Sequence, residues 1–179
     1  MSAKYGLLPT LISYFGHADI INYCGRPFSS TKEMDTELII RWNETVSPDD
    51  SVYHLGDFTL GGIDVFLRYI KQLNGNIYIV PGGHDRRWIR KFNSAKTRTG
   101  DSFLFPPLYT LRSVNPPIVL CHYAMRVWDR SHYGSYHLYG HSHGNLPEQV
   151  KSLDVGVDVH DFTPISLYQI HELLKEEDK

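Results

Sequence analysis

The sequence predicts an α/β fold, and three observations carry that prediction. Short apolar runs of strand length alternate with stretches of helical periodicity. Turn-forming clusters such as "SPDD", "NGN" and "VPGG" separate them. Four of the apolar runs end in Asp or His, at Asp57, at His84-Asp85, at His122, and at His141 with His143. In α/β sheets, sites form outside the carboxyl ends of the strands, so these four ends predict one shared His/Asp cage.

The elements follow in order. "YGLLPTLISYFGHADI" (residues 5–20) reads as a first strand running into a loop. Residues 30–46 read as a helix: Ser30 can cap it, Glu33 completes a capping box, and Met34, Leu38, Trp42 and Val46 recur every four residues. "SVYHLGD" is a strand ending at Gly56-Asp57. Residues 62–73 form a second amphipathic helix with Ile63, Phe66, Leu67, Ile70 and Leu73 on one stripe. "NGNIYIVPGGHD" is turn, strand and Gly-rich loop, and "DRRWIRKF" beyond it reads as a solvated helix face. "PPIVLCHY" and "YHLYGHSHG" are strands, "SLDVGVDV" is a late strand, and residues 166–177 are helical.

The 179 residues suit one domain, 1–179, without repeats or linkers. Hydrophobic content of 41% and charged content of 21% are those of a soluble globular protein. No apolar run of about 18 residues exists, so no membrane span is expected. A secretory signal is not expected, and two distant cysteines, Cys24 and Cys121, make no disulfide framework; the reading is cytoplasmic. A net charge of −2 argues against a nucleic-acid coat protein, and no stable nucleic-acid complex is expected. It leaves room for a phosphorylated substrate, because bound metal supplies local positive charge.

Ten His mark the chemistry. Asp57 after "HLG" can bridge cations with its two oxygens, or serve as an Asx-turn residue. His141 and His143 in "GHSHG" lie between glycines that let the backbone approach an ion. His122 ends "IVLCH", with Cys121 expected to point into the core. His84 can protonate a leaving group or stabilise a transferred phosphoryl, with Asp85 holding one of its nitrogens. Arg86, Arg87 and His17 are candidates for contact with a substrate phosphate. Tyr23, Arg26, Tyr123, Arg126 and Trp128 are candidates for the pocket wall.

Together "GD", "GGHD", "CHY" and "GHSH" resemble, in order and spacing, the calcineurin-like metallophosphoesterases, and among them the small single-domain enzymes of bacteria and phages. "FGHADIINYCGRPF", "VYHLGDF", "HYAMRVWDRSHYGSYHLYGHSHG" and "SLDVGVD" extend the likeness from Phe15 to Pro164. The resemblance implies a four-layer αββα sandwich of two mixed β-sheets flanked by helices. It implies two divalent ions of the Mn, Fe or Zn kind. Asp57 would bridge them, with His122 and His141 on one and His143 on the other, and His84 would be the catalytic His. The implied reaction is hydrolysis of a phosphate ester, a phosphodiester or a monoester, by metal-activated water, with a nucleotide-like substrate among the candidates.

The pattern breaks at the first strand. The family ends it in Asp-x-His; here those positions fall on Ile12 and Tyr14, or on Thr10 and Ile12 with a longer loop. The Asn that usually precedes the catalytic His is Gly83. A coding run for Thr-Ser-Asp-Thr-His-Phe read one nucleotide late spells Leu-Pro-Thr-Leu-Ile-Ser, the run from Leu8 to Ser13, so a local frame shift is one explanation. Codons with no one-base relation to Asp-x-His would end that idea. Read as it stands, the sequence predicts at most one tightly held ion and weak or absent turnover. The rival expectations are a catalytically silent binding module on the same fold, and a structural zinc protein. The latter is disfavoured because the candidate ligands sit at scattered strand ends.

Overall fold

The computed structural model describes residues 7–9, 13–91 and 103–176. It is an α/β structure of two sheets flanked by helices. The first sheet has the order β1 (Leu7–Pro9), β2 (Ser51–His54), β3 (Asn76–Ile79), all parallel. The second has the order β4 (Leu108–Leu111), β5 (Ile118–Cys121), β6 (Tyr136–Tyr139), β7 (Ser152–Asp154). Here β4 pairs antiparallel with β5, and the others run parallel. Among the described residues the mixed character therefore lies in the second sheet. The buried apolar side chains form one cluster drawn from both sheets and their helices. No helix among the described residues is long and apolar enough to cross a membrane.

Helix α1 spans Asp19–Tyr23 and α2 spans Thr31–Thr45. The predicted cap of α2 is present: Ser30 Oγ accepts from the Glu33 amide at 3.2 Å. The return half of the box lands one residue early. The Glu33 carboxylate takes the Ser29 amide at 2.8 Å and the Ser29 hydroxyl, rather than the Ser30 amide. Met34, Leu38 and Trp42 are buried as their spacing predicts, and the Trp42 indole donates to the Asn74 carbonyl at 3.0 Å.

Helix α3 spans Ile63–Ile70, shorter than expected, because turn bonds from Gln72 and Leu73 replace the helical ladder before the Asn74-Gly75 turn. Helix α4 spans Arg86–Ile89. Its face is not wholly solvated: Trp88 is buried and stacks on Phe66 with centroids 4.0 Å apart. Such a pair contributes roughly 0.5–1.5 kcal/mol beyond its buried area. The late strand is also shorter than predicted. After Asp154 the carboxylate of that residue accepts the Gly156 amide at 2.8 Å, and Val157–Val159 form a 3-10 turn. Helix α5, Leu167–Glu176, contacts both β1 and β7 and so touches the two sheets; Glu177 lies outside the described residues.

His54 closes β2 and is fully buried. Its Nδ1 accepts from the Gly56 amide at 3.2 Å, so Nε2 carries the proton and donates to Ser13 Oγ at 2.9 Å. Burial pushes its pKa down to about 3; Asp57 opposes this and His122 adds to it. Between that value and the ordinary value near 6.5, the unfolded chain binds a proton that the folded chain refuses. Stability is therefore whole above about pH 6.5 and falls as the pH drops towards 3. Urea midpoints measured from pH 7 to pH 4 should fall less steeply in His54→Gln than in the parent chain; equal slopes contradict this. Separately, Ser30→Ala should cost about 1 kcal/mol in urea unfolding through loss of the α2 cap.

Candidate metal centre at the strand ends

The carboxyl ends of β2, β3, β5 and β6 lead into the predicted clusters. The loops after β2 and β3 pack closely, and glycine makes this possible at two positions. A Cβ at Gly56 (φ +89°) would meet the Gly82 nitrogen at 2.1 Å, and one at Gly82 would meet Asp57 Oδ1 at 2.4 Å.

Asp57 is fully buried and has φ +50°. Its Oδ1 accepts the His84 amide at 2.8 Å, and its Oδ2 accepts the Tyr14 hydroxyl at 2.8 Å. His122 Nε2 lies 3.0 Å from the same Oδ2. Burial works to raise the pKa of Asp57, but His122, the His84 amide and the Tyr14 hydroxyl hold it down to about 2, so the group is a carboxylate.

His122 Nδ1 lies 2.7 Å from the Leu55 carbonyl, which can only accept, so Nδ1 carries a proton. That leaves Nε2 facing the Asp57 carboxylate and, at 3.2 Å, His141 Nδ1. The neutral ring would set one lone pair against another there. The contact calls for a proton or a cation between them, and a backbone carbonyl behind the imidazole is the usual support of a metal-binding His. Burial alone would lower the pKa of His122, but Asp57 outweighs it and raises it. The donor atoms of Asp57, His122 and His141 all lie within 4.8 Å of one another. These three residues fit a single divalent ion.

The fourth predicted ligand stands apart. His143 Nδ1 is 2.6 Å from Asp158 Oδ2, and its ring centroid is 5.2 Å from that of Tyr14. Asp158 is held in turn by the buried Arg26, whose Nε and Nη2 donate to Oδ1 and Oδ2 at 2.7 and 2.9 Å. Tyr14 is buried, with its ring centroid 5.7, 6.3 and 5.2 Å from those of His17, His84 and His143. Burial first, and Asp57 second, push its pKa above the ordinary range, so it keeps its proton and donates to Asp57. It occupies one of the positions where the family resemblance wants a ligand. Ile12 and Thr10, the other such positions, lie outside the described residues. On the described residues, the family's paired-ion arrangement does not fit: a tyrosine hydroxyl already takes the Asp57 oxygen that a second ion would share.

His84 is half-exposed, with Nε2 4.0 Å from Asp57 Oδ2. Asp85 does not hold the His84 ring. Instead its Oδ2 accepts the amides of Asp57 (2.7 Å) and Gly82 (2.8 Å), and its Oδ1 accepts the Phe58 amide and the Trp88 indole, each at 3.0 Å. Deep burial beside four donors directs it to the loops rather than to an exposed imidazole. His17 lies at the rim, 5.7 Å from Tyr14 by centroids. Arg87 donates to the Leu60 carbonyl at 3.1 Å, while Arg86 is exposed. Cys121 is only partly buried, not a core residue. Among the wall candidates, Tyr23 is exposed, Arg126 is exposed, Trp128 is packed against the Ser135 carbonyl, and Arg26 turns inward to Asp158. Tyr123 stands edge-on to His122 and His141, and its hydroxyl lies 2.9 Å from where a Cβ on Gly83 would sit, filling the space of the expected Asn.

Sequence reasoning missed Asp158 and Cys24 and left Tyr14 as a mere gap. Asp158 lies in "VGVDV", read as strand, where nothing marks an inward carboxylate. Tyr14 could have been found by noting that it stands at a ligand position beside the "FGH" run.

The fold and these strand ends define an α/β two-sheet protein with an Asp/His cluster between loops of both sheets, buried at Asp57 and His122 and open to solvent at His141. The chain is 30% identical over 177 residues to an uncharacterized protein, MJ1445, of Methanocaldococcus jannaschii, covering 92% of this chain and 88% of that protein. It belongs to the same family as that protein. No known family model matches the sequence. A crystal structure of a protein of unknown function, AQ665 of Aquifex aeolicus, covers 95% of this chain and 100% of its own with a TM-score of 0.73 at 21% identity, a likeness of fold.

Gly82→Ala should weaken binding of Mn ions by about 10–100-fold, because its Cβ displaces Asp57. Gly83→Ala should change little, since its Cβ meets only the end of the Tyr123 side chain. Calorimetric titration of the two variants checks both; unchanged binding in Gly82→Ala contradicts the packing argument.

Proposed function

We propose that this protein is a metal-dependent hydrolase of phosphate esters, of the calcineurin-like metallophosphoesterase kind. The observation that carries the reading is the convergence of Asp57, His122 and His141, with His84 beside them. Asp57, His122 and His141 would hold a Mn, Fe or Zn ion, which supplies Lewis acidity and a water activated at neutral pH. The chain's own groups do the rest. The Leu55 carbonyl fixes the His122 tautomer with Nε2 turned to the site. The His84 amide orients Asp57, which keeps the half-exposed His84 ring next to the reacting centre. There the imidazole can give a proton to the leaving oxygen or offset charge on the phosphoryl group. The exposed Arg86 and the rim residue His17 are the groups available to a substrate phosphate, and Tyr123 offers an aromatic wall to a nucleotide-like leaving group. Free cysteines suit a cytoplasmic setting.

One observation favours a second reading. Tyr14 blocks the shared oxygen of Asp57, so a catalytically silent binding module on the same fold is the alternative. An aryl phosphodiester assayed with added Mn separates the two. Turnover that disappears with chelator and in Asp57→Asn, and that falls by on the order of 100-fold in His84→Ala, supports the hydrolase. No turnover with Mn, Fe or Zn, despite a bound ion, supports the module.

A further inference from the structure

The donors on the far side of Tyr14 make a group of their own. The candidate ligand atoms of Cys24, His143 and Asp158 all lie within 4.8 Å of one another. Cys24 caps α1, where its amide bonds the Ile20 carbonyl, and the following Gly25 (φ +59°) turns the chain away. His143 follows β6, and Asp158 lies in the 3-10 turn after β7. Three distant segments thus bring a sulfur, a nitrogen and an oxygen to one place. The Asp158 side chain is 8% exposed and that of His143 15%, while Cys24 is half-buried, so the place is shielded on the side of the His143–Asp158 pair and reachable from solvent at Cys24.

We propose that Cys24, His143 and Asp158 form a second cation site, separate from the Asp57 centre, that takes a thiophilic divalent ion of the zinc class. Three protein donors with one position left open is a common zinc arrangement. Soft thiolate and imidazole donors suit zinc, whereas a hard ion such as magnesium or calcium needs several oxygens. Here the one carboxylate is already shared with the Arg26 guanidinium, which lowers the negative charge available to a hard ion and leaves the sulfur to decide the choice. A carboxylate carries about four lone-pair sites; Arg26 uses two and His143 one. Binding converts the Cys24 thiol to a thiolate and releases that proton to solvent; the His143 ring changes tautomer, its proton passing from Nδ1 to Nε2 by exchange with water, so that the freed Nδ1 lone pair and the ion replace the His143–Asp158 hydrogen bond while Arg26 stays on the carboxylate. Tyr14 keeps this site from sharing Asp57 with the first. The inference stands whether or not the Asp57 centre hydrolyses anything.

The test uses the full chain stripped of metal under reducing conditions and titrated with Co ions as an optical probe and with Zn ions for content. A near-ultraviolet thiolate-to-cobalt band is expected in the parent chain, in Asp57→Asn and in Cys121→Ser, and is expected to be absent in Cys24→Ser. X-ray absorption of zinc-loaded Asp57→Asn should show a sulfur neighbour at about 2.3 Å. Cys24→Ser should lose one zinc equivalent; if that variant misfolds, Asp158→Asn serves the same purpose. No thiolate band in the parent chain, a band that survives Cys24→Ser, or zinc in Asp57→Asn without a sulfur neighbour overturns the proposal. Failure of the hydrolase reading shows instead as absent turnover with the Asp57 ion bound, which none of these readings touches.

Discussion

Two buried carboxylates in adjacent loops hold the strand ends together. Asp85 takes the amides of Asp57, Phe58 and Gly82, and Asp57 takes the amide of His84. Each loop therefore satisfies the other's backbone, which a buried loop must do because no water is there to do it. Burial and the charge of Asp57 push the pKa of Asp85 up, while the amides around it pull the other way. The amides make it possible to keep two carboxylates so near each other away from solvent. Glycines at 56 and 82 let the backbones approach, and side chains there would collide with backbone or with Asp57 itself.

Asp57 adopts a left-handed backbone, as do Tyr14, His141 and His143, with φ of +50°, +57°, +62° and +49°. Non-glycine residues in this region cost energy and cluster where a structure needs a particular side-chain direction. Here the result is two small donor groups with Tyr14 between them. One contains Asp57, His122 and His141, and the other Cys24, His143 and Asp158. The same hydroxyl that satisfies the buried Asp57 oxygen also separates the groups.

The supporting residues behind the imidazoles have different chemistry on the two sides. His122 leans on a neutral carbonyl, which fixes its tautomer. His143 leans on a carboxylate that is itself held by the buried Arg26 guanidinium. The buried ion pair between Arg26 and Asp158 also ties the loop after α1 to the turn after β7, so it contributes to the joining of the two halves as well as to His143. Breaking one member of such a pair leaves an uncompensated buried charge.

The sequence by itself determined the α/β class, the α2 cap, the buried spacing of Met34, Leu38 and Trp42, and the placement of Asp57, His84, His122 and His141 at strand ends. These features are local: periodicity, capping and turn chemistry act within a few residues. The antiparallel β4 and the early end of β7 were not legible, since a short edge strand and a strand breaking at Gly156 carry no distinctive pattern. Only the tertiary structure decided that Asp85 holds loops rather than His84, that Tyr14 divides the donors, and that His143 meets Cys24 and Asp158 instead of Asp57. Each of those outcomes depends on contacts between residues far apart in the chain, some separated by more than a hundred positions as Arg26 and Asp158 are. Side-chain direction at a strand end follows from which loops crowd it, and that crowding exists only once both sheets are in place.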